Sequence, residues 1–175
     1  MKRLPLILLL TVLALSTTAC SRIWQSAKDW QQQGIARRDA RQNADKIIRK
    51  GKLLLGKKYK YGAAGPNRFD CSGFTMTCFE AAGIELPRAT AAQRDYGRRL
   101  RKGEPLQKGD LVFFAPRSGN KQVLGHVGIV VSFDRHDHSF TFIHASVSNG
   151  VEIQRSETKY YKDRYICASR VLPDF

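Results

Sequence analysis

The cysteine at position 71 has the sequence context of a reactive thiol. Cys71 follows Asp70, and a mainly apolar stripe continues after it at spacings of three and four residues as far as Ala82. This spacing predicts a helix over residues 71–82, stopped by Gly83, with Asp70 as its N-cap. Unpaired N–H groups and the positive end of the helix dipole would favour the thiolate and could hold an oxyanion. We therefore predict a nucleophile, although a lone cysteine is more often a small buried apolar residue.

Two histidines could supply the base that such a thiol needs. His126 lies between glycines at the start of a predicted strand over 127–133, and His144 ends the next predicted strand, over 140–145. The two rings share a face of the sheet only when the numbers of paired residues sum to an even value. A sum of 270 would place the histidines directly opposite each other, and a sum of 272 would place them diagonally. In either register His126 can take the thiol proton while His144 fixes its tautomer.

The elements that must position these residues follow an α+β order. Stretches of helical periodicity come first and β-branched, aromatic stretches follow. A loop rich in Gly, Lys and Tyr is predicted over 57–70. The predicted helices cover residues 22–33, 35–50, 71–82 and 88–99, and the predicted strands cover 111–114, 127–133, 140–145, 151–153 and 166–171. The expected fold therefore has N-terminal helices packed on a small antiparallel sheet.

The beginning of the chain resembles an export signal. Lys2 and Arg3 precede a ten-residue, mainly apolar run, and small residues then lead to Cys20, which is the order of a secretory signal. Ten residues reach about 15 Å as a helix, about half of a bilayer core, so the run is not expected to be a permanent span. Small residues ending in a cysteine resemble the bacterial lipoprotein signal, which implies acylation of Cys20. Plain secretion, with Cys20 an ordinary residue, is the alternative.

Charge and export together restrict the partners. The chain of 175 residues has 30 Lys+Arg against 15 Asp+Glu, a formal net charge of +15, and a length that suits one domain. Residues 21–60 contribute +9 of that charge, so it is concentrated near the N-terminus. This basic arm is either a solvated tether or a site of attraction to anionic lipid or an acidic polymer. Export argues against nucleic acid as a partner, and Ser21 after Cys20 favours an outer-membrane anchor facing the periplasm.

Six motifs along the chain resemble, in order, those of the NlpC-type cell-wall cysteine peptidases, which have a papain-like core. The resemblance runs from about Leu53 to Ser169. It divides the chain into a lipoprotein signal peptide (1–20), a basic helical arm (21–52) and a peptidase domain (53–175). The motifs are Tyr59-Lys60-Tyr61-Gly62, Asp70-Cys71-Ser72-Gly73-Phe74, Leu86-Pro87-Arg88 with Gln93, Gly109-Asp110-Leu111-Val112-Phe113-Phe114, Gly125-His126-Val127-Gly128-Ile129 and Phe142-Ile143-His144-Ala145-Ser146.

The resemblance implies hydrolysis of peptidoglycan stem peptides, at the D-γ-glutamyl bond to the diamino acid or at the crosslink. It implies that Cys71 is the nucleophile, His126 the general base and then acid, and His144 the orienting third residue. The alternatives are an amidase or acyltransferase on the same core, and a wall-binding lipoprotein without catalysis.

The resemblance also implies contacts with substrate outside the triad. Tyr59 would position the substrate or the oxyanion, unless it only packs in the domain. Ser72 would make a polar contact, and Arg88 would meet a stem-peptide carboxylate, with an exposed structural arginine as the alternative.

The remaining reactive residues imply no cofactor and no metal. His136 and His138 lie with two aspartates in a polar hairpin, but the sequence offers no matching ligand set elsewhere. Cys78 shares the helical stripe of Cys71 and is expected in the core. Whether Cys78 pairs with Cys167 as a disulfide stays open at this point.

Overall fold

The structure is a computed structural model that describes the backbone of residues 6–175 and the side chains of residues 24–175. The chain divides into two compact units, Met1–Arg38 and Asp39–Phe175. The side chain of Cys20, the predicted acylation site, lies outside the described residues, as do Lys2 and Arg3. No helix in the described part of the chain is both long enough and apolar enough to cross a membrane.

The elements alternate briefly between helix and strand before the main sheet begins. The bounds are α1 (Leu6–Leu53), β1 (Lys58–Tyr59), β2 (Arg68–Phe69), α2 (Cys71–Glu80), α3 (Thr90–Tyr96), β3 (Arg98–Arg99), β4 (Leu111–Phe114), β5 (His126–Phe133), β6 (Phe140–Ser146), β7 (Gly150–Arg155), α4 (Lys159–Lys162) and β8 (Tyr165–Arg170). Strands β3 to β8 form a six-stranded sheet in the order β3-β8-β4-β5-β6-β7, and every neighbouring pair is antiparallel. The predicted α+β class with an antiparallel sheet is confirmed.

The larger unit has a core on each face of the sheet. On one face Phe74 and Cys78 of α2 lie in a buried cluster with Ile47 of α1 and with Ile129 and Ile143 of the sheet. A second cluster covers the other face, where Phe114, Val130 and Phe142 are fully buried. Each large apolar side chain contributes roughly 1.5–3 kcal/mol when it is buried. The sheet is therefore held from both sides, with α2 fixed against strands β5 and β6.

The prediction of two N-terminal helices was wrong, because α1 continues through both of its glycines. Gly34 is exposed and has open space where a Cβ would be. A single exposed glycine costs a helix about 1 kcal/mol relative to alanine and leaves the backbone hydrogen bonds intact. It therefore weakens the helix without ending it.

Short elements account for the other differences from the predicted pattern. The predicted loop over 57–70 contains β1 and β2, which form a parallel pair of two residues each. The predicted helix over 88–99 ends at Tyr96, because Arg98 and Arg99 pair with β8 instead. Cys78 and Cys167, whose pairing the sequence left open, are both free thiols.

Candidate active site

Asp70 fixes the start of α2 and so the position of Cys71. The Asp70 carboxylate accepts hydrogen bonds from the N–H of Gly73 at 2.7 Å and the N–H of Gly62 at 2.9 Å. Arg88 donates to both carboxylate oxygens, at 3.1 and 2.5 Å, and forms an ion pair. Burial alone would raise the pKa of Asp70, but the bonds from Arg88 and Gly73 outweigh it and lower the pKa. Asp70 is therefore a charged N-cap, as the sequence predicted.

A loop lies against the first turn of this helix at close range. A Cβ at position 73 would lie 2.3 Å from the carbonyl oxygen of Ala63, so only glycine lets the two backbones meet there. The same carbonyl oxygen accepts the N–H of Asp70 at 2.8 Å. This packing holds the segment that carries Tyr59 beside the helix terminus.

The Cys71 sulfur is largely buried and meets the start of β5. Thr90 Oγ1 lies 3.9 Å from Sγ, and the backbone amide of Val127, the residue after His126, is close enough to act on the thiol pKa. Burial raises the pKa of Cys71, the charge of Asp70 adds to this, and the hydrogen bonds of Thr90, Val127 and Ser72 only partly oppose it. Burial of Cys71 therefore opposes the preference for the thiolate that the helix terminus is expected to give.

Cys71 opens onto a groove that also gathers the other predicted contact residues. The groove, about 610 Å³ in volume, is lined by Tyr59, Cys71, Ser72 and Arg88, together with Gly125. Burial, and secondarily the neighbouring Cys71 and Asp70, raises the pKa of Tyr59, so its hydroxyl remains a hydrogen-bond donor. Arg88 also donates to Ser72 Oγ at 2.8 Å. The side chains of Ser72 and Arg88 thus form one polar network that faces the groove.

The two histidines meet across the strand pair β5–β6. Ile129 pairs with Ile143, which is the predicted register with a sum of 272, so His126 and His144 lie diagonally on one face. His126 Nε2 lies 2.8 Å from His144 Nδ1, and the ring planes are nearly perpendicular. The register shifts by one only between Val130 and Ser132, beyond the histidines. The geometric condition set by the sequence is confirmed.

The far nitrogen of His144 has partners that the sequence did not reveal. The Tyr161 hydroxyl lies 3.2 Å from His144 Nε2, and a Glu152 carboxylate oxygen lies 3.8 Å from it. Burial lowers the pKa of His144 to about 3. Burial, followed by the charges of His144 and Arg164, lowers the pKa of His126 well below its ordinary value. Both imidazoles are therefore neutral near pH 7.

These contacts select one arrangement of protons. The Tyr161 hydroxyl can accept from His144 Nε2–H, and the nearby Glu152 carboxylate favours a proton on that nitrogen, which leaves His144 Nδ1 as an acceptor. His126 Nε2 then carries a proton and donates a hydrogen bond to His144 Nδ1. His126 Nδ1 is left with a lone pair and can act as a base. The structure thus brings Cys71 to Gly125 and Val127, the residues on either side of His126. The His126 ring itself lines a separate cavity and makes no hydrogen bond with Cys71 Sγ among the described residues.

The site residues missed from the sequence come from short, irregular segments. Thr90 begins α3, and Tyr161 lies in the four-residue helix α4. A four-residue helix has too few positions to show periodicity, so no pattern in the sequence indicates Tyr161. Glu152 lies on the predicted strand 151–153. The alternation of side chains along that strand is compatible with a carboxylate in solvent as well as with one that contacts His144.

Comparisons with known proteins agree with this geometry. The model described as NlpC/P60 family matches residues 56–170. The chain belongs to the NlpC/P60 family. The family match begins after the end of α1 and covers every side chain assigned above to the groove and the histidine pair.

Individual relatives of this NlpC/P60 chain are peptidases by name. The chain is 40% identical to a probable endopeptidase NlpC homolog of Haemophilus influenzae, over 67% of this chain and 57% of the relative. It is 38% identical to a gamma-D-glutamyl-L-lysine dipeptidyl-peptidase of Bacillus cereus, over 74% of this chain and 37% of the relative. It is 38% identical to Murein DD-endopeptidase MepS/Murein LD-carboxypeptidase of Escherichia coli, over 67% of this chain and 57% of the relative. The chain thus spans about half the length of the curated relatives it matches.

A solved structure shares the fold. The crystal structure of an NlpC/P60 family protein from Bacillus cereus matches with a TM-score of 0.65 and 36% identity, over 74% of this chain and 40% of that one. The sheet order and the placement of α2 described above are therefore those of an NlpC/P60 domain.

Proposed function

We propose that the protein is a cysteine peptidase that hydrolyses stem peptides of bacterial peptidoglycan, with Cys71, His126 and His144 as its catalytic triad. The observation that carries the proposal is the meeting of the Cys71 sulfur with the start of β5, where a neutral His126 is bonded to His144 at 2.8 Å. The names of the NlpC/P60 relatives support the substrate class. A papain-like arrangement of nucleophile, base and orienting residue needs these three roles.

The reaction begins from a neutral thiol and a neutral imidazole. As Sγ of Cys71 attacks the scissile carbonyl carbon, the thiol proton passes to Nδ1 of His126. The S–C bond forms, and the carbonyl oxygen becomes an oxyanion. Asp70 occupies the N–H of Gly73, whereas the N–H groups of Cys71 and Ser72 have no backbone acceptor among the described residues. These two N–H groups, with the Tyr59 hydroxyl, supply donors for the oxyanion.

The second half of the reaction returns the proton. The oxyanion collapses, the C–N bond breaks, and Nδ1–H of His126 protonates the leaving amine, which yields a thioester on Cys71. Water then attacks the thioester carbon and gives a proton to His126. The carboxylic acid leaves, and the thiol takes the proton back. His144 holds the imidazolium of His126 in place during both halves.

Arg88 and Ser72 serve the acyl side of the substrate. Arg88 lines the groove with a side chain that is 43% exposed, while its guanidinium is bonded to Asp70 and Ser72. A substrate carboxylate in the groove would meet this guanidinium, and the ion pair with Asp70 keeps it oriented. We assign Ser72 and Arg88 as substrate-contact residues and no metal or cofactor to the reaction.

We further propose that the mature protein is a lipoprotein, acylated at Cys20 and anchored in the outer membrane so that it faces the periplasm. The order of charge, apolar run, small residues and cysteine supports this anchor. An anchor there would place the hydrolase next to its polymeric substrate.

Mass spectrometry of purified muropeptides after incubation with the protein tests the proposal. The expected products carry a new free amine on the diamino acid or on the residue freed from the crosslink. Release of intact stem peptides from the sugar would indicate an amidase instead. Unchanged muropeptides, with binding to isolated cell walls retained, would indicate a wall-binding protein without catalysis.

A further inference from the structure

A second cavity adjoins the Cys71 groove, and His126 lines this cavity but not the groove. It has a volume of about 470 Å³, and Gly125 lines both the cavity and the groove. His126 lines the second cavity, as do the charged residues Arg117, Glu152 and Arg164. The proposed mechanism does not use either arginine.

Arg164 is a buried guanidinium without an ionic partner. It is 9% exposed, and its Nε and Nη2 both donate to one backbone oxygen, that of Ala115. Its Nη1 has no hydrogen-bond partner. No carboxylate within the described range 24–175 comes within 4.0 Å of its nitrogens. The ring of Tyr160 covers the guanidinium at 4.2 Å.

An unpaired buried cation is costly unless an anion joins it. Glu152 is the single carboxylate residue lining the cavity, and Asn149 Nδ2 already donates to it at 2.9 Å. Arg117 adds a second cation at the rim. It is exposed, and it follows Pro116, whose backbone packs so closely on Gly125 that a Cβ there would lie 2.4 Å away. Two guanidinium groups that line one cavity and form no ion pair among the described residues fit a carboxylate ligand.

The direction of the reaction identifies which part of the substrate reaches this cavity. The acyl half is held by Cys71 and the oxyanion donors in the first groove. The leaving nitrogen takes its proton from His126, so the amine half extends to the His126 side, where the second cavity lies. We propose that Arg164 and Arg117 bind a carboxylate on the residue that contributes the scissile nitrogen. This inference rests on the proposed function and makes the enzyme selective for that free carboxylate.

Two synthetic stem peptides that differ in one group test the inference. In one peptide the residue that contributes the scissile nitrogen carries a free carboxylate, and in the other it carries the primary amide. Because a charged hydrogen bond is worth roughly ten- to a hundredfold in binding, we expect the protein to favour the acid by at least about tenfold in kcat/KM. Arg117→Gln and Arg164→Lys should each reduce this ratio severalfold. Arg135→Gln, which removes an exposed charge from the β5–β6 hairpin, should leave the ratio unchanged.

A binding measurement separates this inference from the proposed function. Calorimetry with the Cys71→Ala variant gives the dissociation constants of both peptides without turnover, and Arg117→Gln keeps the test valid if Arg164→Lys fails to fold. Preferential binding of the acid without cleavage by the unmodified protein would overturn the proposed function and retain the inference. The inference would be overturned if both peptides were cleaved at equal rates, or if they bound equally or not at all. It would also be overturned if neither arginine variant changed the ratio of kcat/KM for the acid to that for the amide.

Discussion

At the scale of single residues, burial decides the resting charge of the site. The Cys71 thiol has a raised pKa because it is desolvated, and burial lowers the pKa of His144 to about 3. The helix terminus and the hydrogen bonds of Thr90 and Val127 stabilise the thiolate, but they only reduce the shift. Burial thus favours the thiol form of Cys71 and the neutral form of both imidazoles in the free protein.

The pH dependence of alkylation reports this resting state. Iodoacetamide reacts with the thiolate, so the inactivation rate follows the ionised fraction of Cys71. Because the pKa lies above the ordinary value of 9.0, we expect the rate to be still rising at pH 9. The rate is measured with the Cys167→Ala variant, because that substitution removes another free thiol that could react. A rate that reaches its plateau below pH 7 would show a thiolate–imidazolium pair instead.

We propose that Tyr161 is a positioning residue that acts through His144. Tyr161→Phe removes the hydroxyl 3.2 Å from His144 Nε2 and keeps the ring, so we expect kcat to fall by about two- to tenfold with KM unchanged. Steady-state kinetics on a soluble muropeptide measure this split. Tyr96→Phe, on an exposed tyrosine of α3, is the matched control. Equal kcat values for both variants would remove Tyr161 from the account.

At the scale of elements, the pairing of β5 with β6 positions the histidines. In the 272 register Gly128 lies opposite His144, and a Cβ on Gly128 would lie 2.6 Å from the Phe142 ring and 3.3 Å from the His144 Cβ. The glycine in the motif that contains His126 is therefore required by packing. It gives the second imidazole and the neighbouring aromatic ring the space they need.

Gly128→Ala tests whether this strand packing matters. The added methyl overpacks a buried sheet face, so we expect a loss of roughly 1–3 kcal/mol in the free energy of unfolding, with reduced kcat as His144 is displaced. Urea denaturation and kinetics on the same preparation measure both. Ser132→Ala, on the same strand beyond the register shift, removes one exposed hydrogen bond to Thr141 Oγ1 and should change stability by less than about 1 kcal/mol. A Gly128→Ala variant that matched Ser132→Ala in both measurements would contradict the packing argument.

The elements also show how much of the structure could be predicted from the sequence. The N-cap at Asp70, the helix from Cys71 and the strands around the two histidines were predictable, because periodicity and capping act over neighbouring residues. The two-residue strand β3 was not, since its pairing with β8 depends on residues about seventy positions away. The raised pKa of Cys71 could not be predicted for the same reason. Its burial depends on packing between distant segments, while the dipole that favours the thiolate is local.

At the scale of the whole molecule, basic charge near the N-terminus offers a contact with anionic surfaces. Lys28, Arg37 and Arg38 are exposed in the unit that ends at Arg38. Because each basic residue near an anionic membrane contributes about 1 kcal/mol, replacing all three with Gln should weaken binding to anionic vesicles by at least about tenfold. Hydrolysis of soluble muropeptides should not change. Vesicle co-sedimentation at low salt measures the effect, with neutral vesicles as the control. If the triple variant bound anionic vesicles with unchanged affinity, the basic arm would be only a solvated tether.

The central claim, that the Cys71 thiol performs the hydrolysis, is tested most directly by turnover of one purified muropeptide with single-cysteine variants. Cys71→Ala should lose at least about a thousandfold in kcat and keep its fold by circular dichroism, as removal of a triad nucleophile does in other hydrolases. Cys167→Ala, which removes another free thiol from the same domain, should retain the full rate. Turnover by Cys71→Ala at a rate close to that of Cys167→Ala would contradict the account.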